Sequence, residues 1–275
     1  MLEIPEAQTL ARQLDETLAG KIAVSVAAGA ATHKFAFYYG DPAGYDALLA
    51  GKTFRGARAL AGQVEIDFGD AAVLFADGVN ARFFAAGSSM PAKHQLFIGF
   101  DDGSAIVCTV QMYGGLWAYP SGANDNPYYL AARNKPSPLG SAFDAAYFSG
   151  LLAAAKPNLS LKAFLAAEQR IPGLGNGVLQ DILFNARLHP KTKLSALTGA
   201  DRNRLFESIK TTLAQMAALG GRDTEKDLFG RSGGYQTRMS GNTLASGCPG
   251  CGGCVVKEAY MGGNIYYCPA CQPQA

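Results

Sequence analysis

The sequence predicts an α+β chain. It has a β-rich N-terminal domain, read as a β-sandwich with a leading helix, then a helical middle and a cysteine-bearing hairpin at its far end. Three observations carry this. Between about residues 21 and 118, short apolar runs with partial alternation are separated by Gly-Asp and Asp-Gly turns. From Asp144 to Leu219 the apolar residues recur at helical spacing. Five of the six cysteines fall within the last 28 residues.

Residues 5–19 predict the leading helix. Pro5 suits a first helical position, and Leu10, Leu14 and Leu18 recur four apart to form one buried stripe. The runs QVEIDF, AAVLF, QLFIGF and SAIVCTV are the clearest strands. Residues 119–140, rich in Pro, Gly and Asn, read as a linker or a long ordered connection. DAAYFSGLLAAA, LSLKAFLAAEQ and GVLQDILFNA are the next helices, the last stopped by His189-Pro190. A longer helix starts near Thr198, carries Leu205, Ile209, Leu213 and Met216 on one face, and stops at Gly220-Gly221. The tail from about 226 returns to turns and short strands.

At 275 residues the chain is long enough for about two cores. No apolar run approaches the roughly 20 residues that span a bilayer, and the opening MLEIPEAQTL lacks a basic region before an apolar one. A cytoplasmic protein with no membrane partner is expected. Net charge is +2, but residues 1–155 hold 10 Lys+Arg against 14 Asp+Glu, and residues 156–275 hold 14 against 8. The C-terminal part is the better match for a polyanion. His33, His94 and His189 are dispersed, so they suggest neither a metal site nor a triad.

The tail spaces Cys248-Pro-Gly-Cys251 from Cys268-Pro-Ala-Cys271 by sixteen residues. Each CxxC turn lets two thiolates reach one ion, and the insert can fold as a hairpin, so one structural Zn²⁺ on Cys248, Cys251, Cys268 and Cys271 is expected. Such a closed site supports folding and leaves no open position for chemistry. Cys254 makes a second CxxC with Cys251 and is an alternative ligand; the symmetric pairing is simpler.

Residues 169–190, QRIPGLGNGVLQDILFNARLHP, place a glycine turn directly before a helix. Gly175 and Asn176 sit where that helix begins, and exposed backbone N–H groups at a helix start favour phosphate. The same segment resembles the helix–two-turn–helix of the formamidopyrimidine-DNA glycosylase/endonuclease VIII family. The finger ending in YYCPACQ is similar to that family's zinc finger, and Glu3-Ile4-Pro5-Glu6 resembles its usual start, ELPE. The three signatures occur in the family's order and span the chain. The resemblance implies a β-sandwich domain over 1–125, a linker over 126–143, a helix–two-turn–helix domain over 144–225 and a zinc finger over 226–275. It implies a monomer that binds double-stranded damaged DNA in the cleft between domains, with Asn176, Gly175 and the finger hairpin on phosphates.

The catalytic pattern departs from the family's. There the chain begins Met-Pro-Glu, and a freed proline amine attacks the sugar C1′. Here Leu2 stands in that place, and Met1 is expected to stay because its removal needs a small second residue. The family's lysine falls on Gly62, and the finger arginine near Gly263 or Asn264. Gln111-Met112-Tyr113 resembles the Gln-Leu-Tyr wedge of endonuclease VIII, which fills the gap left by a flipped base; the bland alternative is an edge turn packed under Trp117. Glu3 and Glu6 remain as carboxylates able to activate water, or as acids that merely complement the helix start. The expected function is excision of a damaged base with strand-cleaving lyase activity weak or absent. The alternative is a non-catalytic protein that recognises lesions or DNA structure.

Overall fold

The computed structural model describes residues 1–274. It forms two compact units, Met1–Arg133 with Glu225–Gly233, and Asn134–Thr224 with the residues from Gly234 onward.

The first unit opens with helix α1 (Ile4–Leu18), with Pro5 in its first turn and Ile4, Ala7, Leu10, Ala11, Leu14 and Leu18 buried. Next come β1 (Ala23–Ala28), β2 (Ala36–Phe37), the short helix α2 (Tyr45–Leu49), β3 (Gly56–Leu60), β4 (Gln63–Asp67), β5 (Ala71–Phe84), β6 (Leu96–Phe100) and β7 (Ala105–Pro120). They make one sheet in the order β1-β6-β7-β5-β4-β3, with β2 added in parallel to β7. β5 and β7 are long enough to serve both halves of the sheet. Val64, Ile66, Val73 and Phe75 from one half and Val79, Ile98, Ile106 and Val110 from the other enter a single core with α1. That shared core makes the expected sandwich out of one continuous sheet. Cys108 is fully buried in it, and burial pushes its thiol up, so it behaves as a small apolar residue.

Two expected boundaries are corrected. The linker at 126–143 contains helix α3 (Pro127–Asn134). It is held because the Tyr129 hydroxyl donates to Glu65 Oε2 at 2.7 Å, beside the Tyr119 hydroxyl, which donates to the same oxygen at 2.9 Å. Arg58 pairs with the other oxygen. Glu65 is thus a buried carboxylate with both oxygens satisfied. The second correction lies at the C-terminal side: residues 225–233, expected at the end of the helix–two-turn–helix domain (225) and the start of the finger (226–233), belong to the first unit. Leu228 is fully buried in the core of the sheet. Its N–H donates to Gln13 Oε1 at 3.0 Å, while Gln13 Nε2 donates to Asp227 at 2.8 Å.

The second unit contains α4 (Ala145–Ala154), α5 (Leu161–Ala166), α6 (Asn176–Asn185), α7 (Gly199–Ala218) and the hairpin β8 (Val256–Tyr260) and β9 (Gly263–Tyr267). Asp144, Ser160 and Thr198 cap α4, α5 and α7, and at the last the Thr198 N–H donates in return to the Asp201 carboxylate. Glu168 and Gln169 take positive φ of 58° and 49°, which ends α5 earlier than its apolar pattern implies. The hairpin turns through Met261 and Gly262, both at positive φ, as a two-residue turn requires. Among the described residues no helix is long and apolar enough to cross a membrane.

Candidate nucleic-acid interface and active site

In the first unit the chain start is built into the sheet. Glu3 sits at the N-cap of α1 in extended backbone, and both Glu3 and Glu6 are buried, at 3% and 7% exposure. Helix-start acids usually lie in water, whereas these two carboxylates are enclosed. The Leu2 N–H donates to the Asp77 carbonyl at 2.7 Å, and its side chain lies against the core. The Met1 amino group pairs with Glu225.

Asp77 precedes an irregularity in the β5–β7 ladder. Asp77 pairs with Gly114 and Val79 with Val110, so Gly78 alone faces Gln111, Met112 and Tyr113. A Cβ on Gly78 would lie 2.6 Å from the Tyr113 carbonyl oxygen, so only glycine fits. The bulge lifts all three opposing residues into solvent, with Met112 at 61% and Tyr113 at 41% exposure. The turn packed under Trp117 is therefore not what forms. Partial burial, then the nearby Asp77 and Glu3 charges, push the Tyr113 hydroxyl up; burial also raises the Asp77 carboxyl. The fold thus brings Leu2, Glu3 and Tyr113 into one region, with Asp77 among them. Sequence reasoning misses Asp77 because its Asp-Gly pair reads as a simple turn. No local signal marks Glu225. Gly62 lies in the two-residue turn between β3 and β4, at the register Leu60 to Gln63, and carries no side chain.

In the second unit Gly175 is the N-cap and Asn176 the first residue of α6. The Asn176 side-chain amide donates to the Asn264 carbonyl at 3.0 Å. Gln180, one turn on, donates to the same carbonyl at 3.0 Å and accepts from the Tyr266 N–H at 3.0 Å. Lys162 completes this junction. It is 4% exposed, its ammonium donates to the Tyr260 carbonyl, and burial lowers its pKa. A Cβ on Gly263 would meet Asn176 Nδ2 at 3.5 Å and Lys162 Nζ at 3.6 Å, ordinary contact distances, so the start of β9 lies directly against both side chains. Sequence reasoning misses Lys162; its one signal is the Ser-Leu-Lys step at the start of α5. Lys191 pairs with Glu258, and its ammonium lies 5.3 Å from the centre of the Tyr260 ring. His189 is buried, its ring 4.3 Å from that of Tyr267, and serves packing.

Cys248, Cys251, Cys268 and Cys271 bring their sulfurs within 4.8 Å of one another. The Cys248–Cys271 and Cys251–Cys268 separations are 3.8 and 3.5 Å. A tetrahedral ion with metal–sulfur bonds of about 2.3 Å needs edges of about 3.8 Å, so the four thiolates fit a metal such as zinc. Cys254 is exposed and lies outside the group.

The first unit thus carries an enclosed carboxylate pair, and the second a helix–turn–helix joined to a four-cysteine hairpin. Over nearly its whole length the chain is similar to formamidopyrimidine-DNA glycosylases. Residues 135–227 match the family model described as the formamidopyrimidine-DNA glycosylase H2TH domain. The formamidopyrimidine-DNA glycosylase of Lactococcus lactis subsp. lactis IL1403 is 27% identical over 281 residues, covering 99% of each chain. The crystal structure of the MutM (Fpg) protein of Thermus thermophilus superposes with a TM-score of 0.81 at 25% identity, covering 99% of each chain. The Lactococcus lactis protein in complex with DNA containing N7-benzyl-Fapy-dG gives 0.84 at 25% identity, covering 99% of this chain and all of that one.

Proposed function

We propose that this protein is a base-excision DNA glycosylase that hydrolyses the N-glycosidic bond of a damaged base in double-stranded DNA, with lyase activity weak or absent. The observation that carries the reading is the burial of Glu3 and Glu6 beside a chain start whose second residue is Leu2. A buried carboxylate takes a proton from water; the water oxygen bonds to C1′, the C1′–N bond breaks, and the departing base keeps the electron pair and takes up a proton. The family's proline amine has no counterpart. The Met1 amine is one residue further out, about 3.3–3.6 Å of chain, which is enough to misplace an attack that tolerates little error. Gly62 supplies no substitute amine.

Asn176, Gly175 and Asn264 are assigned to phosphates around the lesion, and Gln111, Met112 and Tyr113 to the gap in the stack. One zinc ion on Cys248, Cys251, Cys268 and Cys271 holds the finger; its role when bound is structural. We place the protein in the cytoplasm as a monomer. The Leu2 and Gly62 departures favour one second reading, a lesion-recognition protein without chemistry.

Incubation with damaged and abasic duplexes, with borohydride and with a later alkali step, separates the outcomes. The expected result is no borohydride-trapped adduct, with alkali-labile sites that vanish in Glu3→Gln or Glu6→Gln. Efficient trapping through the chain start overturns the assignment of Leu2 as disabling. Neither adduct nor alkali-labile sites on any substrate favours the recognition protein instead.

A further inference from the structure

β2 is an edge strand with its apolar side turned outward. Ala36 and Tyr38 pack inward on the sheet core, so alternation sends Phe35 and Phe37 to solvent, where they are 47% and 50% exposed. Two neighbouring phenylalanines on an open edge are costly for a lone domain, which usually blunts such edges with charge. The pair adjoins the bulge directly: the Gly114 N–H donates to the Phe35 carbonyl at 2.9 Å, and Ala36 and Phe37 register with Gly114 and Gly115, the residues that follow Tyr113. Phe35, Phe37, Met112 and Tyr113 therefore give an exposed apolar row running from the edge strand to the bulge.

The surroundings of the row are cationic although this half of the chain is acidic. Lys34 Nζ lies 5.3 Å from the centre of the Phe35 ring, and the His33 ring meets Phe35 edge-on at 6.5 Å. The Ala31 N–H donates to the His94 carbonyl, which brings Lys93 and His94 alongside. Neither stretch 29–37 nor 83–97 contains an Asp or Glu. Aromatic faces beside cations are the chemistry that takes unstacked bases and their phosphates; the acids near the row, Asp77 and Glu3, lie at its Tyr113 end, away from Lys34 and Phe35 in the sequence. A helix-binding or strand-binding protein surface would not need the cations.

Resting on the DNA role proposed above, the geometry points to β2 as a stacking surface for unpaired nucleobases: Phe35 and Phe37 extend the Gln111–Tyr113 wedge, so that DNA with a locally opened strand is bound in preference to closed duplex. The surface commits to one occupant, a DNA strand with unpaired bases. The expected selectivity follows from base–aromatic stacking, which is sequence-tolerant and absent in intact duplex.

The test compares binding of 2-aminopurine-labelled single strand, a duplex with a mismatched bubble, and closed duplex. Wild type is expected to prefer the opened DNAs. The double variant Phe35→Ala/Phe37→Ala should lose about tenfold on these, stay within about twofold on closed duplex, and melt as wild type does. Phe35→Trp/Phe37→Trp should retain the preference and quench 2-aminopurine. Equal affinity of wild type for opened and closed DNA, or equal losses on all three, overturns the inference while leaving the glycosylase reading intact. A change of solution mass in the alanine variant assigns the face to a second copy of the chain and also overturns it. Wild type that binds no DNA defeats the DNA reading and this inference together.

Discussion

Asn176 spends a side-chain N–H on the carbonyl of Asn264, so the residue expected to face phosphate is also a strut between α6 and the finger hairpin. Gln180 repeats the contact and adds the Tyr266 N–H, treating the hairpin backbone as a neighbouring strand would. Asn176→Ala should weaken DNA binding across sequences, because phosphate contacts carry no base information. It should cost only about 1 kcal/mol in stability, one net hydrogen bond. Gln180→Ala leaves the Tyr266 N–H unmet and should cost about 2–4 kcal/mol in thermal unfolding. A salt titration of Asn176→Ala that matches wild type in affinity and slope would remove it from the phosphate set.

Metal analysis of freshly purified protein should find about one zinc per chain. Chelation should lower the melting temperature of the finger-bearing unit, and Cys248→Ser or Cys271→Ser should reproduce that loss. Cys254→Ser should leave both metal content and melting unchanged, because its sulfur lies outside the cluster.

Met112→Ala/Tyr113→Ala should reduce affinity for abasic or mismatched duplex more than for intact duplex, since a wedge is used only where the stack is open. Both residues are exposed on the bulge, so melting should barely move. Equal losses on the two substrates would return them to a plain fold role.

Glu65 predicts an acid dependence in the first unit. Burial alone would raise its carboxyl, but hydrogen bonds from Tyr129, Tyr119 and Arg58 bring it below the ordinary value of 4.5. A carboxyl depressed in the fold stabilises at pH above its unfolded value, and that stabilisation is lost as pH falls through the folded one. Glu65→Gln should therefore cost about 2 kcal/mol near neutral pH, with the difference from wild type closing below about pH 4.5. A gap that stays constant into acid would mean that the carboxylate is not the stabilising form.

What the sequence makes legible is what local pattern encodes. The stripe Leu10–Leu14–Leu18, the Thr198 cap, the Gly220-Gly221 stop and the paired CxxC turns each depend on residues a few positions apart, and each forms. What escapes depends on distant partners. Nothing near Tyr129 announces a carboxylate 64 positions earlier, so the stretch reads as linker where a helix forms. Lys162 looks like any surface lysine until the hairpin brings the Tyr260 carbonyl, 98 positions on, against it. The Asp77-Gly78 pair is legible as a break in a strand; that three residues bulge opposite it is not, because the ladder register decides that.

Leu228 gives the first unit an unusual relation to time. The sheet, α1 and α3 have all left the ribosome's active centre by the time residue 134 is joined, yet the core they enclose still lacks one of its fully buried side chains, and Gln13 still lacks both of its partners. Those arrive only from Glu225 onward, after α4 to α7 have been made. A nascent chain must therefore hold a gap in its first core open through the synthesis of its second, and any fragment cut within the α4–α7 region inherits that gap permanently.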